Sequence, residues 1–470
     1  MPALWKLFLP LLCVSLAKAS DVFDFLRPTI FPKVSNDKSL VEEWYFTQKV
    51  DHFNILDDRT WSQRFFLSNT TYNASTPVLL VLGGEWQIEP GHVNNGFIAE
   101  LAERFGAFVI YLEHRFYGQS KPVPDLSLEN LAFLTMDQAM EDTAFFAQST
   151  KIQMGLDGPW ILIGASYTGD MAAWARARYP HVFHAAYASG APVLAKAGYE
   201  EYFEVVNTAL LIENASCPSV IEAAMNELQI LIENGLADNI TTLFNLAERI
   251  DLANLNDLTF FRFQISAIFA TLVQIARPGS NGIICDTLLS GQDNPLDTYS
   301  GLLRLLMQGN PLNVNTTKIV EKYRDQVEFS ETSYTRQWIY HCCNEFGWFN
   351  PLSSPNQPFG QQVPLDFMLK FCSSVYGPEF TPERLEAGTA RTNLLYGGKN
   401  PQASRIIYTV GTLDPVNPVQ MDQDINPESP VIFIEGMSHC VDVTDASKPN
   451  DPQSLIDARQ RIFNIFESWL

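Results

Sequence analysis

The sequence predicts an α/β protein whose mostly parallel sheet is interrupted by a long helical insert. Three observations carry that prediction. Strand-like apolar runs alternate with helical periodicity up to about residue 197, helical periodicity dominates from there to about residue 391, and strand-like runs return in the remainder. At 470 residues with 46% apolar and 18% charged residues, the chain can bury a large core, which excludes disorder and suits more than one domain.

The run PVLLVLGG from Pro77 to Gly84 is apolar and branched and ends in glycines, the pattern of a strand buried on both faces. Ala107 to Leu112 gives a second such strand, and Met136 to Gln148 places apolar residues at helical spacing. Pro159 to Ile163 reads as a third strand entering Gly164, Met171 to Tyr179 as a helix, and Ala185 to Ala188 as a fourth strand. Beyond Gly198 the pattern changes: Val220, Ile221, Ala224, Leu228, Leu231 and Ile232 share one helical face. Arg405 to Val410 and Pro430 to Ile434 then restore strands, and an amphipathic helix around Ile456 to Trp469 closes the chain. The expected organisation is a core from 20–197 and 392–470, split by a helical insert over 198–391.

Residues 1–19 read as a signal peptide, with Lys6, an apolar run from Leu7 to Ala17, and an Ala17-Lys18-Ala19 exit suited to signal peptidase. The run is short for a membrane span, and the other long apolar stretch, Leu258 to Ala276, carries Arg262, Gln264 and Gln274. No membrane span is therefore expected after cleavage. Sequons at Asn69, Asn73, Asn214, Asn239 and Asn315 agree with passage through the secretory pathway, to the outside or to the lysosome. Six cysteines remain once Cys13 leaves, an even number in an oxidising compartment, so disulfides are expected among fifteen connectivities. The adjacent Cys342 and Cys343 are badly spaced for one tetrahedral metal and no Cys-x-x-Cys pair exists, so neither metal nor cofactor is expected. A net charge of −22 opposes nucleic-acid binding, because displacing counterions from phosphate needs a basic patch. Oligomeric state leaves no trace, and a homodimer stays open.

The segment WILIGASYTG from Trp160 to Gly169 is a strand, a small-residue turn and a helix start, the setting of a nucleophile elbow centred on Ser166. Thr168 stands where such a turn usually has its second glycine. A serine hydroxyl is a poor nucleophile until a histidine takes its proton, and that histidine needs a carboxylate to fix its tautomer. Both partners follow in the order expected of an α/β-hydrolase core, each after a strand: Asp414 in VGTLDP, then His439 in EGMSH. His52, His92, His114, His181, His184 and His341 lack that context. An oxyanion hole would use the amide of Tyr167 and one from the Gly83-Gly84-Glu85 turn, with Gly84 the preferred donor.

WYFTQKVDHFN at Trp44 to Asn54, GGEW, EHRFYGQS at Glu113 to Ser120, GASYTG, TLDP and SHCVD together resemble one peptidase family. It is that of lysosomal Pro-X carboxypeptidase, dipeptidyl-peptidase II and thymus-specific serine peptidase, and GGEW, FYG, AAWARARYPH and SHC look closest to the last. The resemblance spans Trp44 to Leu470. It implies an α/β-hydrolase core with an inserted, disulfide-containing helical cap, and cleavage of peptide substrates, often after proline. It carries Ser166, Asp414 and His439 over as a triad, and matches YHCCNEFGW at Tyr340 to Trp348, Glu345 included, to the segment lining the substrate pocket. Trp338 and Trp348 become apolar walls. It suggests Cys343 with Cys372 and Cys217 with Cys285, which leaves Cys342 and Cys440 as a bridge that would tie the insert to the loop after His439. Val416 stands where relatives often have Trp, and Ile339 where dipeptidyl-peptidases carry an acid. Two rivals stay open at this stage: a lipase or esterase on the same core, and a catalytically silent binding protein.

Overall fold

The structure, a computed structural model, describes residues 41–68, 70–331 and 333–470. The expected signal peptide, residues 1–19, and the sequon residue Asn69 lie outside these.

Strands β1 (Val41–Lys49), β2 (Thr60–Ser68), β3 (Val78–Leu82), β4 (Phe108–Leu112), β5 (Trp160–Ala165), β6 (Ala185–Ser189), β9 (Ile406–Gly411) and β10 (Val431–Ile434) form one sheet in the order β1-β2-β4-β3-β5-β6-β9-β10. β2 runs antiparallel to β1 and β4, and the other pairs are parallel. A mostly parallel sheet must be covered on both faces, and alternation within the strands does this here. Leu80, Leu82, Ile110 and Leu162 point toward helices α2 (Met136–Met154) and α3 (Tyr167–Arg178), where Met140, Phe146 and Trp174 meet them. Leu79, Val81, Val109, Ile161 and Ile163 point the other way, onto Phe97 and Leu101 of α1 (Gly96–Phe105) and Ile462 and Phe466 of the closing helix Gln453–Trp469. Each such buried side chain contributes about 1.5–3 kcal/mol. Thr135 caps α2 by accepting from the Gln138 amide at 3.3 Å, and Gly155 ends it in the left-handed conformation.

The β1–β2 hairpin and EHRFYGQS are fastened by buried ions. Arg64 pairs with Glu113 at 2.6 Å, while Asp142 accepts from Arg115 at 2.6 Å and bonds His52 at 2.7 Å. These histidine and arginine positions therefore do structural work in the core.

Between β6 and β9 the chain is mainly helical, including Glu201–Glu213, Cys217–Glu233, Leu255–Gln274 and Ser280–Ser290. Its only described strands are β7 (Lys196–Gly198) and β8 (Gly347–Phe349), which pair parallel as a small second sheet. Disulfides Cys217–Cys285 and Cys343–Cys372 lie within this segment. The remaining pair expected by subtraction does not form: Cys342 and Cys440 are both free and buried. The Cys440 thiol is occupied elsewhere, donating to the Ser189 carbonyl at 3.4 Å. No described helix is long and apolar enough to cross a membrane.

Candidate active site

The sheet order reverses between β3 and its neighbour β5, so the loops leaving their carboxyl ends open a crevice at the switch point. Gly84 leaves β3 and Ser166 leaves β5 there. Ser166 is a non-glycine residue at φ 56, ψ −129, the strained turn that lifts a serine side chain off a strand end. Gly164 is required because a Cβ there would fall 1.9 Å from the Thr168 carbonyl oxygen. Thr168 is no defect in this turn. Its hydroxyl donates to the Ala165 carbonyl and accepts from the Ala165 amide, both at 2.9 Å, so the side chain folds back and satisfies the strained loop.

Asp414 and His439 leave β9 and β10, the strands beyond β6, and meet at 2.6 Å through His439 Nδ1 and Asp414 Oδ2. The carboxylate is fully buried and also accepts from Gln420 Nε2 at 2.5 Å and the Val416 amide at 2.9 Å. Nδ1 thus carries a proton, and Nε2 is left buried and without a partner, the ring nitrogen open to proton exchange with a ligand. Burial disfavours the imidazolium, but the Asp414 carboxylate outweighs it and holds the His439 pKa well above its usual value. Gly190, beside the Ser189 carbonyl that binds the Ser166 amide at 2.8 Å, lets the ring approach; a Cβ there would lie 3.2 Å from His439 Cε1 and 2.5 Å from the Cys440 sulfur.

The loop bearing His439 is tied to the insert, by hydrogen bonds instead of a disulfide. Ser438 Oγ donates to the carbonyls of Val273 at 2.6 Å and Gln274 at 2.8 Å, and the His439 amide donates to Gln274 at 3.2 Å. These are end carbonyls of the Leu255–Gln274 helix, whose partial negative charge also suits a nearby imidazolium. On the core side, Asp442 accepts from Tyr187, from Ser189 at 2.8 Å and from Thr409 at 2.6 Å.

The Gly83 amide is taken by the Leu112 carbonyl at 2.7 Å, while Gly84 packs so closely that a Cβ would meet Thr168 Cγ2 at 2.8 Å. Gly84 therefore stands against the first turn of α3, where the Tyr167 amide is. The Tyr167 ring is buried among His114, Trp338, His341 and Phe346, with centroids 5.5–5.7 Å away. His114 Nδ1 bonds the Arg115 carbonyl at 2.6 Å and so is the protonated nitrogen, leaving Nε2 to accept from the Tyr167 hydroxyl at 2.9 Å. Burial lowers the His114 pKa to about 3, so it stays neutral.

Trp338 and Trp348 are partly exposed and stack 6.1 Å apart, with Phe346 4.7 Å from Trp348. Glu345 is buried, bonds His341 Nδ1 at 3.0 Å and accepts from the Met136 amide at 3.2 Å, at the start of α2. Asn73, Asn214 and Asn239 are exposed and Asn315 partly so. Among the described residues no cluster could hold a metal ion.

Two carboxyl groups beside the elbow went unnoticed in the sequence. Asp170, in the first turn of α3, is fully buried with both oxygens unpartnered, and Glu85, after Gly84, has an unpartnered Oε2. Burial, and then Glu85, raise the Asp170 pKa well above normal; burial pushes Glu85 up to about 8. An acid in the first turn of a helix ordinarily reads as a dipole partner, which hid Asp170.

The family described as serine carboxypeptidase S28 matches residues 48–462. Human thymus-specific serine protease is 31% identical over 91% of this chain and 86% of its own length. A Caenorhabditis elegans protein named putative serine protease K12H4.7 is 29% identical over 90% and 87%, and human lysosomal Pro-X carboxypeptidase 25% over 94% and 90%.

Proposed function

This chain belongs to the serine carboxypeptidase S28 family and is a serine peptidase, and we propose that it is an exopeptidase favouring bonds after proline, acting through Ser166, His439 and Asp414. The observation that carries the mechanism is the 2.6 Å contact of Asp414 with His439 Nδ1, which leaves Nε2 buried and unpartnered at the same end of the sheet as the Ser166 elbow. Ser166 Oγ attacks the peptide carbonyl as Nε2 takes its proton. The oxyanion forms against the amides of Tyr167 and Gly84. His439 then gives the proton to the leaving amine, and water repeats the sequence on the acyl-enzyme. Asp414 holds the ring in place, itself fixed by Gln420 and the Val416 amide.

In this reading residues 20–197 and 392–470 are the catalytic core and 198–391 the cap. Trp338 and Trp348 supply an apolar wall suited to a proline ring. The relatives named lysosomal Pro-X carboxypeptidase support both the proline preference and a place in the secretory pathway. Cleavage-site mapping on a mixed peptide library tests this. The expected result is release of the residue following proline from the carboxyl end, falling roughly a thousandfold or more in Ser166→Ala. Internal cuts would overturn the exopeptidase reading, and release of amino-terminal dipeptides would turn it from carboxypeptidase to dipeptidyl-peptidase action.

A further inference from the structure

The loop after β10 carries His439 and runs on through the short helical turn Val441–Thr444 to Asp445. Two parts of the chain hold it. On the core side the closing helix reaches in with Arg459, which donates to the carbonyls of Val441 at 3.2 Å, Asp442 at 3.0 Å and Asp445 at 2.7 Å. On the insert side Ser438 and the His439 amide donate to the end carbonyls of the Leu255–Gln274 helix. A charged contact joins them there: Arg277 Nε lies 3.1 Å from Asp445 Oδ2. Ties to one short insert segment, residues 273–277, therefore fall on both sides of His439 in sequence, at Ser438 before it and at Asp445 after it.

That insert segment is itself braced. The Tyr202 hydroxyl donates to Gln274 Oε1 at 2.7 Å. The Arg277 amide donates to Ser280 Oγ at 3.2 Å, and the Arg277 carbonyl accepts from the Ser280 amide at 2.8 Å. Ser280 opens the helix Ser280–Ser290, which the Cys217–Cys285 disulfide joins to the helix Cys217–Glu233. The guanidinium is thus presented from a fixed turn, whereas the carboxylate it meets belongs to the loop of the base. Both side chains are largely shielded, at 19% and 17% exposure, so solvent screens the pair only in part. Lys448 also approaches Asp445, at 3.5 Å, but it lies three residues along the same loop and so cannot link that loop to the insert. An ion pair near the surface adds little to stability, whereas a small displacement of a catalytic group can cost up to about a hundredfold in rate.

We propose that Arg277 is a positioning residue for the base: through Asp445, and together with the end of the Leu255–Gln274 helix, it seats the His439 loop on the insert, so that the insert sets the alignment of His439 with Ser166. This rests on the reading in which His439 serves Ser166. The test measures kcat and KM on a proline-containing peptide, the rate of fluorophosphonate labelling of Ser166, which needs the base but no peptide, and the melting temperature. Arg277→Gln and Asp445→Asn should each lower kcat and the labelling rate about tenfold, with KM within about twofold and melting within a few degrees of the parent. The double variant should be no slower than the slower single one, because both remove the same contact. Arg277→Lys, which keeps the charge, should recover most of the rate, and Lys448→Ala should leave it at the parent's value. A parent-like kcat in Arg277→Gln, a loss confined to KM, losses that multiply in the double variant, or an equal loss in Lys448→Ala would each overturn the proposal. A parent whose Ser166 does not label would instead refute the mechanism beneath it, before any variant is compared.

Discussion

Asp414 and Asp170 are equally buried and sit at the same end of the sheet, yet they are built in opposite ways. The loop after β9 surrounds Asp414 with His439, Gln420 and the Val416 amide, while the first turn of α3 gives Asp170 no donor at all. Burial of a charge is tolerable only when hydrogen bonds replace water. Asp414 is therefore supplied with the donors that a carboxylate needs, and Asp170 is an acid kept neutral by its surroundings. The difference teaches that burial alone does not set a carboxyl group apart; its donors do, and they favour Asp414 for the proposed triad.

The comparison breaks most visibly at Asp414. Asp414→Asn should lose about four orders of magnitude in kcat, the scale seen when the orienting carboxylate of a triad is replaced. It should also move the alkaline-rising limb of the residual rate to lower pH, because the group that raises the His439 pKa is gone. A limb that stays in place would mean that Asp414 does not govern His439. Gly190→Ala should cost roughly a hundredfold in kcat/KM, since its Cβ would fall 2.5 Å from Cys440 Sγ and 3.2 Å from the imidazole, at a residue already at φ 59. Unchanged turnover would show that the ring has room. Ser438→Ala should lower kcat by about tenfold or less with the fold intact, as it frees the His439 loop from two carbonyls of the insert helix.

Asp170→Asn should alter stability and its pH dependence rather than the chemistry. The folded-state pKa of Asp170 is raised, so its neutral form costs nothing extra below the unfolded value of 3.8, and stability drains away as pH climbs from there toward the folded value. Melting curves of parent and variant should thus keep a constant gap in acid and diverge in the variant's favour on going to neutral and alkaline pH. A gap independent of pH would mean that Asp170 is already solvated or paired.

Strand-exit order made the places of Ser166, Asp414 and His439 in the fold legible, because apolar runs mark buried parallel strands and each residue of the proposed triad follows such a run directly. The strands found at Val78–Leu82, Phe108–Leu112, Ile406–Gly411 and Val431–Ile434 sit within a residue or two of the runs that announce them. What was not legible depends on contacts distant in sequence. Ser438 reaches Val273 across 165 residues, and even the nearby Gln420 becomes a partner of Asp414 only because a short turn brings it back. Thr168 read as a flaw in the elbow because composition does not reveal a hydroxyl folded onto its own turn. Subtraction paired Cys342 with Cys440, whereas the sulfur of Cys440 lies against Gly190 and Ser189 instead.

The most direct measurement of the central claim is mass-spectrometric mapping of a fluorophosphonate adduct on the folded protein. The account predicts a single adduct on Ser166, absent from Ser166→Ala and much slower to form in Asp414→Asn. Native protein that hydrolyses peptides while carrying the adduct on another residue, or none, would contradict it.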